Sequence, residues 1–130
     1  MILQTTLSLA AAAAIINLWL AIRTGKLRFD SKVLHGDGGK PMLQQRMRAQ
    51  ANFVEYTPFV LILIAAIELT GKGGTWLAVV GSIYMLARVA HGFGMDRTDS
   101  NPLRAGGFIV TVLTLAGLSA VAVTIALGGM

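Results

Sequence analysis

The chain has 130 residues, 55% of them hydrophobic and only 13% charged, with a mean hydropathy of +0.68. A water-soluble domain carries about 25% charged residues, so this composition excludes an ordinary soluble globule and fits one compact membrane-embedded unit, residues 1–130. The net charge of +5 does not argue for nucleic acid, because the basic residues gather at segment ends rather than on a solvated face; the absence of cysteine removes disulfides, thiolate metal sites and a cysteine nucleophile.

Four apolar segments lie near residues 2–22, 50–69, 75–95 and 103–127. Each has the roughly 20 residues that carry a helix across a hydrocarbon core of about 30 Å. They are too long and continuous for barrel strands. The expected fold is all-α: an integral membrane four-helix bundle with helices at about 2–22, 42–69, 75–95 and 103–127.

The first segment starts MILQTT, without a positive leader region, and its apolar stretch is too long for a cleaved signal. It reads as a membrane span. Ala10 to Ala14 let a neighbouring helix approach closely. Asn17 is its one strongly polar interior side chain, and an interhelical hydrogen bond is expected there. The first connection, about residues 24–41, contains LHGDGGKP. Gly36, Gly38 and Gly39 suit turns of positive φ. A phosphate-cradling loop fails on pattern, since Lys40 precedes Pro41 rather than entering a helix. His35 and Asp37 offer two metal ligands without a third, so no metal site is expected.

Pro41 suits the first turn of the second helix. Arg48, Asn52 and Glu55 then fall at i, i+4 and i+7 and share one helical face, with Gln44 or Gln45 before them and Tyr56 beside them. A charge near the bilayer centre costs roughly 2.5–3.5 kcal/mol, so the stripe needs partners, a bundle interior or a bound polar ligand. Pro58 should loosen the helix and free the carbonyl of Val54. Glu68 reads as interfacial, and TGKGG closes a helical hairpin.

The third helix carries Tyr84, Arg88, His91 and Met95 on one face. Arg88 needs an anion, and the expectation is a structural ion pair with Glu55. His91 fits either a proton shuttle or a satisfied core histidine. The polar connection DRTDSNP supplies caps: Ser100 or Asn101 for the fourth helix, with Pro102 in its first turn. Arg104 then stands at the positive end of a helix dipole, a place that attracts an anion, a thiolate included. Thr111 and Thr114 are able to bond back to their own helix.

Ten of the eleven Lys and Arg residues lie in or beside the first and third connections; Lys72 alone occupies the second. The positive-inside rule puts connections one and three in the cytoplasm, and both termini with the TGKGG turn on the other side.

RMRAQANFVEYTP (residues 46–58), RVAH (88–91) and NPLR (101–104) together resemble the helix signatures of the MAPEG family, the membrane-associated proteins in eicosanoid and glutathione metabolism, and in particular a small bacterial branch similar to microsomal glutathione transferases. The resemblance implies a multi-pass inner-membrane protein that assembles as a homotrimer. It also implies glutathione as co-substrate, bound between neighbouring subunits. Carried over by position, Arg48, Gln50, Asn52, Glu55, Tyr56 and His91 would bind glutathione, Arg88 would be structural, and Arg104 would be the catalytic residue that stabilises the thiolate. Met95 and Phe108 stand where family members often have tyrosine, and Ala105 replaces a serine of one branch. Arg23, Lys26 and Arg28 compete as the basic residue of the first helix that reaches glutathione.

Two functions follow. One is a transferase or peroxidase that activates glutathione as thiolate against lipophilic electrophiles or hydroperoxides. The other is a non-catalytic member or a small transporter subunit. Small multidrug exporters rely on a carboxylate embedded in their first helix, and the first apolar segment here has none.

Overall fold

In a computed structural model, which describes residues 2–130, the chain forms four helices: α1 (Gln4–Ser31), α2 (Pro41–Leu69), α3 (Thr75–Gly94) and α4 (Pro102–Ala126). All four are long and apolar enough to cross a membrane. No strand occurs among the described residues, and Met1 of the MILQTT start lies outside them.

The starts of α2 and α4 follow the expected chemistry. Pro41 and Pro102 open α2 and α4, where a missing N–H costs nothing. Asn101 caps α4 by accepting a hydrogen bond from the Arg104 N–H at 3.0 Å. Gly36, Gly38 and Gly39 all take positive φ, near 65°, 57° and 70°. α2 continues through Pro58, which lies on an exposed face.

α1 departs from expectation. It does not stop near residue 22 but runs to Ser31, so Arg23, Lys26 and Arg28 sit on a helix rather than in a connection. Nothing in RTGKLRFDS breaks a helix outright. The loss of apolar character there marks the membrane boundary, not the end of the helix. Lys32 terminates it in the left-handed region at φ 57°, and the Val33 N–H closes back on the Arg28 carbonyl at 3.1 Å. Twenty-eight residues measure about 42 Å, longer than the hydrocarbon core.

The helices pack in the cyclic order α1, α2, α4, α3. α2 and α3 also touch across the centre, and α1 and α4 do not meet. The C-terminal ends of α1 and α3 therefore lie beside the N-terminal ends of α2 and α4. This is the basic end of the bundle. The opposite half is apolar, with Leu9, Val60, Ile64, Ile67, Leu77 and Leu118 buried at its centre. Gly81 lets α1 approach α3 there, since a Cβ would collide with the Leu9 side chain. Outward-facing Leu7, Ile15, Leu18, Ile62, Leu86 and Leu113 are largely exposed, as lipid-facing side chains are.

Glu68 ties the apolar end together. Its two carboxylate oxygens accept hydrogen bonds from the N–H groups of Thr5 and Thr6, each at 2.9 Å. The first turn of α1 has no side-chain cap of its own, and a carboxylate borrowed from α2 satisfies its free donors. Asn17 does not make the expected interhelical bond. Its Oδ1 is buried without a hydrogen-bond partner among the described residues.

Candidate functional site

The polar chemistry of this chain converges at the basic end. Arg88 is 1% exposed. It donates to Asn52 Oδ1 at 2.7 Å and to Thr111 Oγ1 at 3.0 Å, joining α3 to α2 and α4. Its guanidinium also lies 5.8 Å from the centre of the Phe53 ring. Thr111 passes the bond on to the Gly107 carbonyl at 2.8 Å. The expected ion pair with Glu55 is therefore not formed. Asn52, one turn earlier on α2, takes the guanidinium, while Glu55 is exposed on the outer surface and pairs with no cation among the described residues.

Two glycines bring α4 against α3. A Cβ on Gly107 would sit 2.5 Å from His91 Cβ and 2.7 Å from the Ala87 carbonyl oxygen. A Cβ on Gly94 would collide with the backbone of Arg104. Asn101 strengthens the same junction: its side-chain amide donates to the Gly94 carbonyl at 2.9 Å while its oxygen caps Arg104. The N-terminus of α4 is thus pinned to the C-terminus of α3, and Arg104 is placed next to His91.

Between these elements lies a cavity of about 410 Å³ lined by Arg48 and Asn52 of α2, His91 of α3, Arg104 and Phe108 of α4, with Met95 and Ser100 at its edge. This volume falls in the usual range for small-molecule sites. Four residues to which the resemblance assigns the site, Arg48, Asn52, His91 and Arg104, share it. His91 is 3% exposed, and its Nδ1 has no hydrogen-bond partner among the described residues. An adjoining cleft of about 290 Å³ shares Arg48, Met95 and Arg104 and adds Gln44 and Arg97. The two arginines and the asparagine make a donor-rich, positively charged lining. Such a lining suits an anionic, peptide-like ligand.

Three expected residues lie elsewhere in the single chain. Tyr56 packs edge-on against Phe108, with ring centres 6.1 Å apart, and so stands behind the cavity wall. Gln50 and Glu55 do not line the cavity. Gln50 is about 200° round the helix from Arg48, so the two face different sides of α2.

One cluster went unanticipated. Asp96, at the end of α3, receives a charged hydrogen bond from Arg23 of α1 and faces Arg46 Nε of α2 at 3.6 Å. Arg23 also lies over the Trp19 and Phe93 rings, at 4.9 and 5.5 Å from their centres. Arg46 donates to the Arg23 carbonyl at 3.4 Å. This knot holds three helices together at the cavity's end of the bundle. It occupies Arg23, and of the three basic candidates on α1 it leaves Lys26 the most exposed. The signal was present in sequence only as Asp96 directly following Met95, in a segment that read as turn.

A separate apolar groove of about 390 Å³, lined by Trp76, Val80, Ile83, Leu113 and Leu118 among others, runs between α3 and α4 towards the opposite end. It holds no ionisable group.

The chain is 33% identical over 86 residues to the inner membrane protein YecN of Escherichia coli strain K12, and equally to that of strain O6:H1. The matched stretch is 65% of this chain and 65% of the relative's length. The sequence profile of the MAPEG family matches residues 6–124. With four membrane-spanning helices and a profile match over nearly its whole length, this chain is a multi-pass membrane protein that belongs to the MAPEG family.

Proposed function

We propose that the chain is a glutathione-dependent enzyme, a transferase or peroxidase acting on lipophilic substrates. The observation that carries this reading is the gathering of Arg48, Asn52, His91 and Arg104 from three helices around one cavity. Glutathione is a flexible tripeptide with two carboxylates and a thiol. Arg48 and the amide of Asn52 would hold its backbone and a carboxylate. The His91 ring would pack against the bound tripeptide. Arg104, near the positive end of the α4 dipole, would face the sulfur.

A free thiol has a pKa of about 8.5, so only a few per cent is ionised at neutral pH. Lowering that value by about 2 units takes roughly 2.7 kcal/mol of preferential stabilisation of the anion. An arginine and a helix N-terminus in a partly desolvated site supply energies of that order. The thiol proton leaves to water. The thiolate then attacks an electrophilic carbon and expels its leaving group, or attacks a lipid hydroperoxide. In the second case two glutathione molecules become the disulfide while the hydroperoxide becomes alcohol and water. The lipophilic substrate would reach the site through the bilayer.

The reading includes a homotrimer with the site shared between copies. Two features support sharing. Glu55 stands exposed and without an ion-pair partner on the face that also bears Arg48, where lipid alone would leave its charge unmet. Gln50 does not line the cavity of its own chain, so a role in glutathione binding would need a neighbour's cavity. The basic end would be cytoplasmic by the positive-inside rule, and the membrane the inner membrane of a bacterium.

A thermal-shift titration in detergent tests binding. Millimolar glutathione should raise the unfolding midpoint, and S-methylglutathione should raise it less because it lacks an ionisable sulfur. No shift with glutathione would favour a non-catalytic membrane protein instead.

A further inference from the structure

The juxtamembrane end of α1 carries an exposed surface that shares no residue with the lining of the Arg48–Arg104 cavity. Beyond Arg23 the helix continues through Thr24–Ser31, past the roughly 20 residues that fill the hydrocarbon core. Phe29 and Leu34 are each 84% exposed there, far more than isolated large apolar side chains in water favour. They form the walls of a shallow cleft of about 640 Å³ that also takes in Gly25, Arg28, Lys32 and Val33. Lys26 and Lys32 are exposed at this end and form no ion pair among the described residues. Lys40 stands close by in sequence. Against these stand Asp30, exposed, and Asp37, whose Oδ1 accepts the Gly39 N–H at 2.9 Å. Arg28 is held in place by its bond to the Gly36 carbonyl at 2.7 Å, which fixes the floor of the cleft.

We propose that this cleft is a binding surface for anionic phospholipid, with Phe29 and Leu34 inserted at the acyl-chain boundary and Lys26 and Lys32 on the headgroup phosphate. Apolar side chains ringed by unpaired lysines at headgroup depth match both parts of such a lipid. Clustered basic residues just beyond a membrane span are drawn to anionic headgroups, and lysine stems reach along the apolar surface to do so.

The absence of cysteine makes a single-site probe clean. Phe29→Cys, labelled with bimane and reconstituted in vesicles, is mixed with brominated phosphatidylglycerol or brominated phosphatidylcholine at equal fractions. Bimane quenching should favour phosphatidylglycerol by at least about two-fold at low salt. The preference should disappear near 1 M salt, where the Debye length is about 3 Å, and in the Lys26→Gln/Lys32→Gln background. The salt arm uses the same labelled protein, so it stands even if the double substitution perturbs folding. Equal quenching by the two lipids, or a preference that salt leaves intact, would overturn the proposal. Absence of quenching would do the same by showing the cleft covered by protein or water. An unlabelled Phe29→Cys protein that oxidises to a disulfide-linked pair in the membrane would assign the cleft to a neighbouring copy and end the lipid assignment.

Discussion

The two halves of this bundle are built on different chemistry. At the apolar end the helices meet through Leu9, Val60, Ile64, Ile67, Leu77 and Leu118, with Glu68 capping α1 as a charged tie. At the basic end they meet through side-chain polar networks: Arg88 with Asn52 and Thr111, and Asp96 with Arg23 and Arg46. In lipid, apolar side chains gain little from leaving their surroundings, so the apolar half is held by close packing together with the Glu68 tie to α1. Polar groups have no alternative partners in hydrocarbon, so the basic half is held by bonds that also fix geometry. The contrast separates roles. Packing in the apolar half sets stability, and the bonded half sets the shape and charge of the cavity.

The largest expected effect tests the charged half. Arg104→Ala should raise the pKa of bound glutathione by about 2 units, roughly 2.7 kcal/mol, and shift the pH–rate profile of conjugation upward to match. Below the free thiol's pKa the variant should lose most of its rate, and at high pH the two proteins should converge. The unfolding midpoint should scarcely change, because Arg104 is exposed at its helix end. A large loss of midpoint would instead make this residue a structural one.

Ile64→Ala makes the opposite test. Ile64 is fully buried among α-helical neighbours in the apolar half. Its truncation should cost roughly 2 kcal/mol of stability, near the low end of the range for buried aliphatic residues because lipid replaces water as the competing solvent. Glutathione affinity, read by the same thermal titration on the destabilised protein, should stay within about two-fold. A tenfold loss would mean the two halves are coupled.

Asp96→Asn sharpens the comparison within the basic end. Arg23 and Arg46 would lose their shared carboxylate while the hydrogen bond from Arg23 to the Gly92 carbonyl remained. The residues are only partly buried, so the expected cost is about 1 kcal/mol, shrinking as salt rises. The smallest effect belongs to Glu68→Gln, which removes the charge of the α1 cap and leaves one amide oxygen for the two N–H groups of Thr5 and Thr6. It should cost about 0.5 kcal/mol in unfolding measurements and leave glutathione binding untouched.

Much of this was legible in the sequence, for identifiable reasons. Helix number follows from the lengths of the apolar runs, which the bilayer dictates. The starts of α2 and α4 follow from Pro41, Pro102 and Asn101, whose chemistry is local. Arg48 and Asn52 could be grouped because one helix fixes their spacing, and Arg104 because it follows the cap. Three features were not legible. The length of α1 was hidden because apolar character ends with the membrane while helical bonding continues to Ser31. The partner of Arg88 was hidden because it depends on the relative height of α2 and α3, and a shift of one turn exchanges Glu55 for Asn52. The Arg23–Asp96–Arg46 knot was hidden for the same reason, since it joins residues far apart in sequence on three helices.

The most direct measurement is ultraviolet difference absorbance on mixing glutathione with purified protein at neutral pH. Ionisation of the thiol in the cavity predicts a saturable thiolate signal in the wild-type protein and its loss in Arg104→Ala, with glutathione still bound. A wild-type protein that binds glutathione but shows no thiolate absorbance would contradict activation of the sulfur at this site.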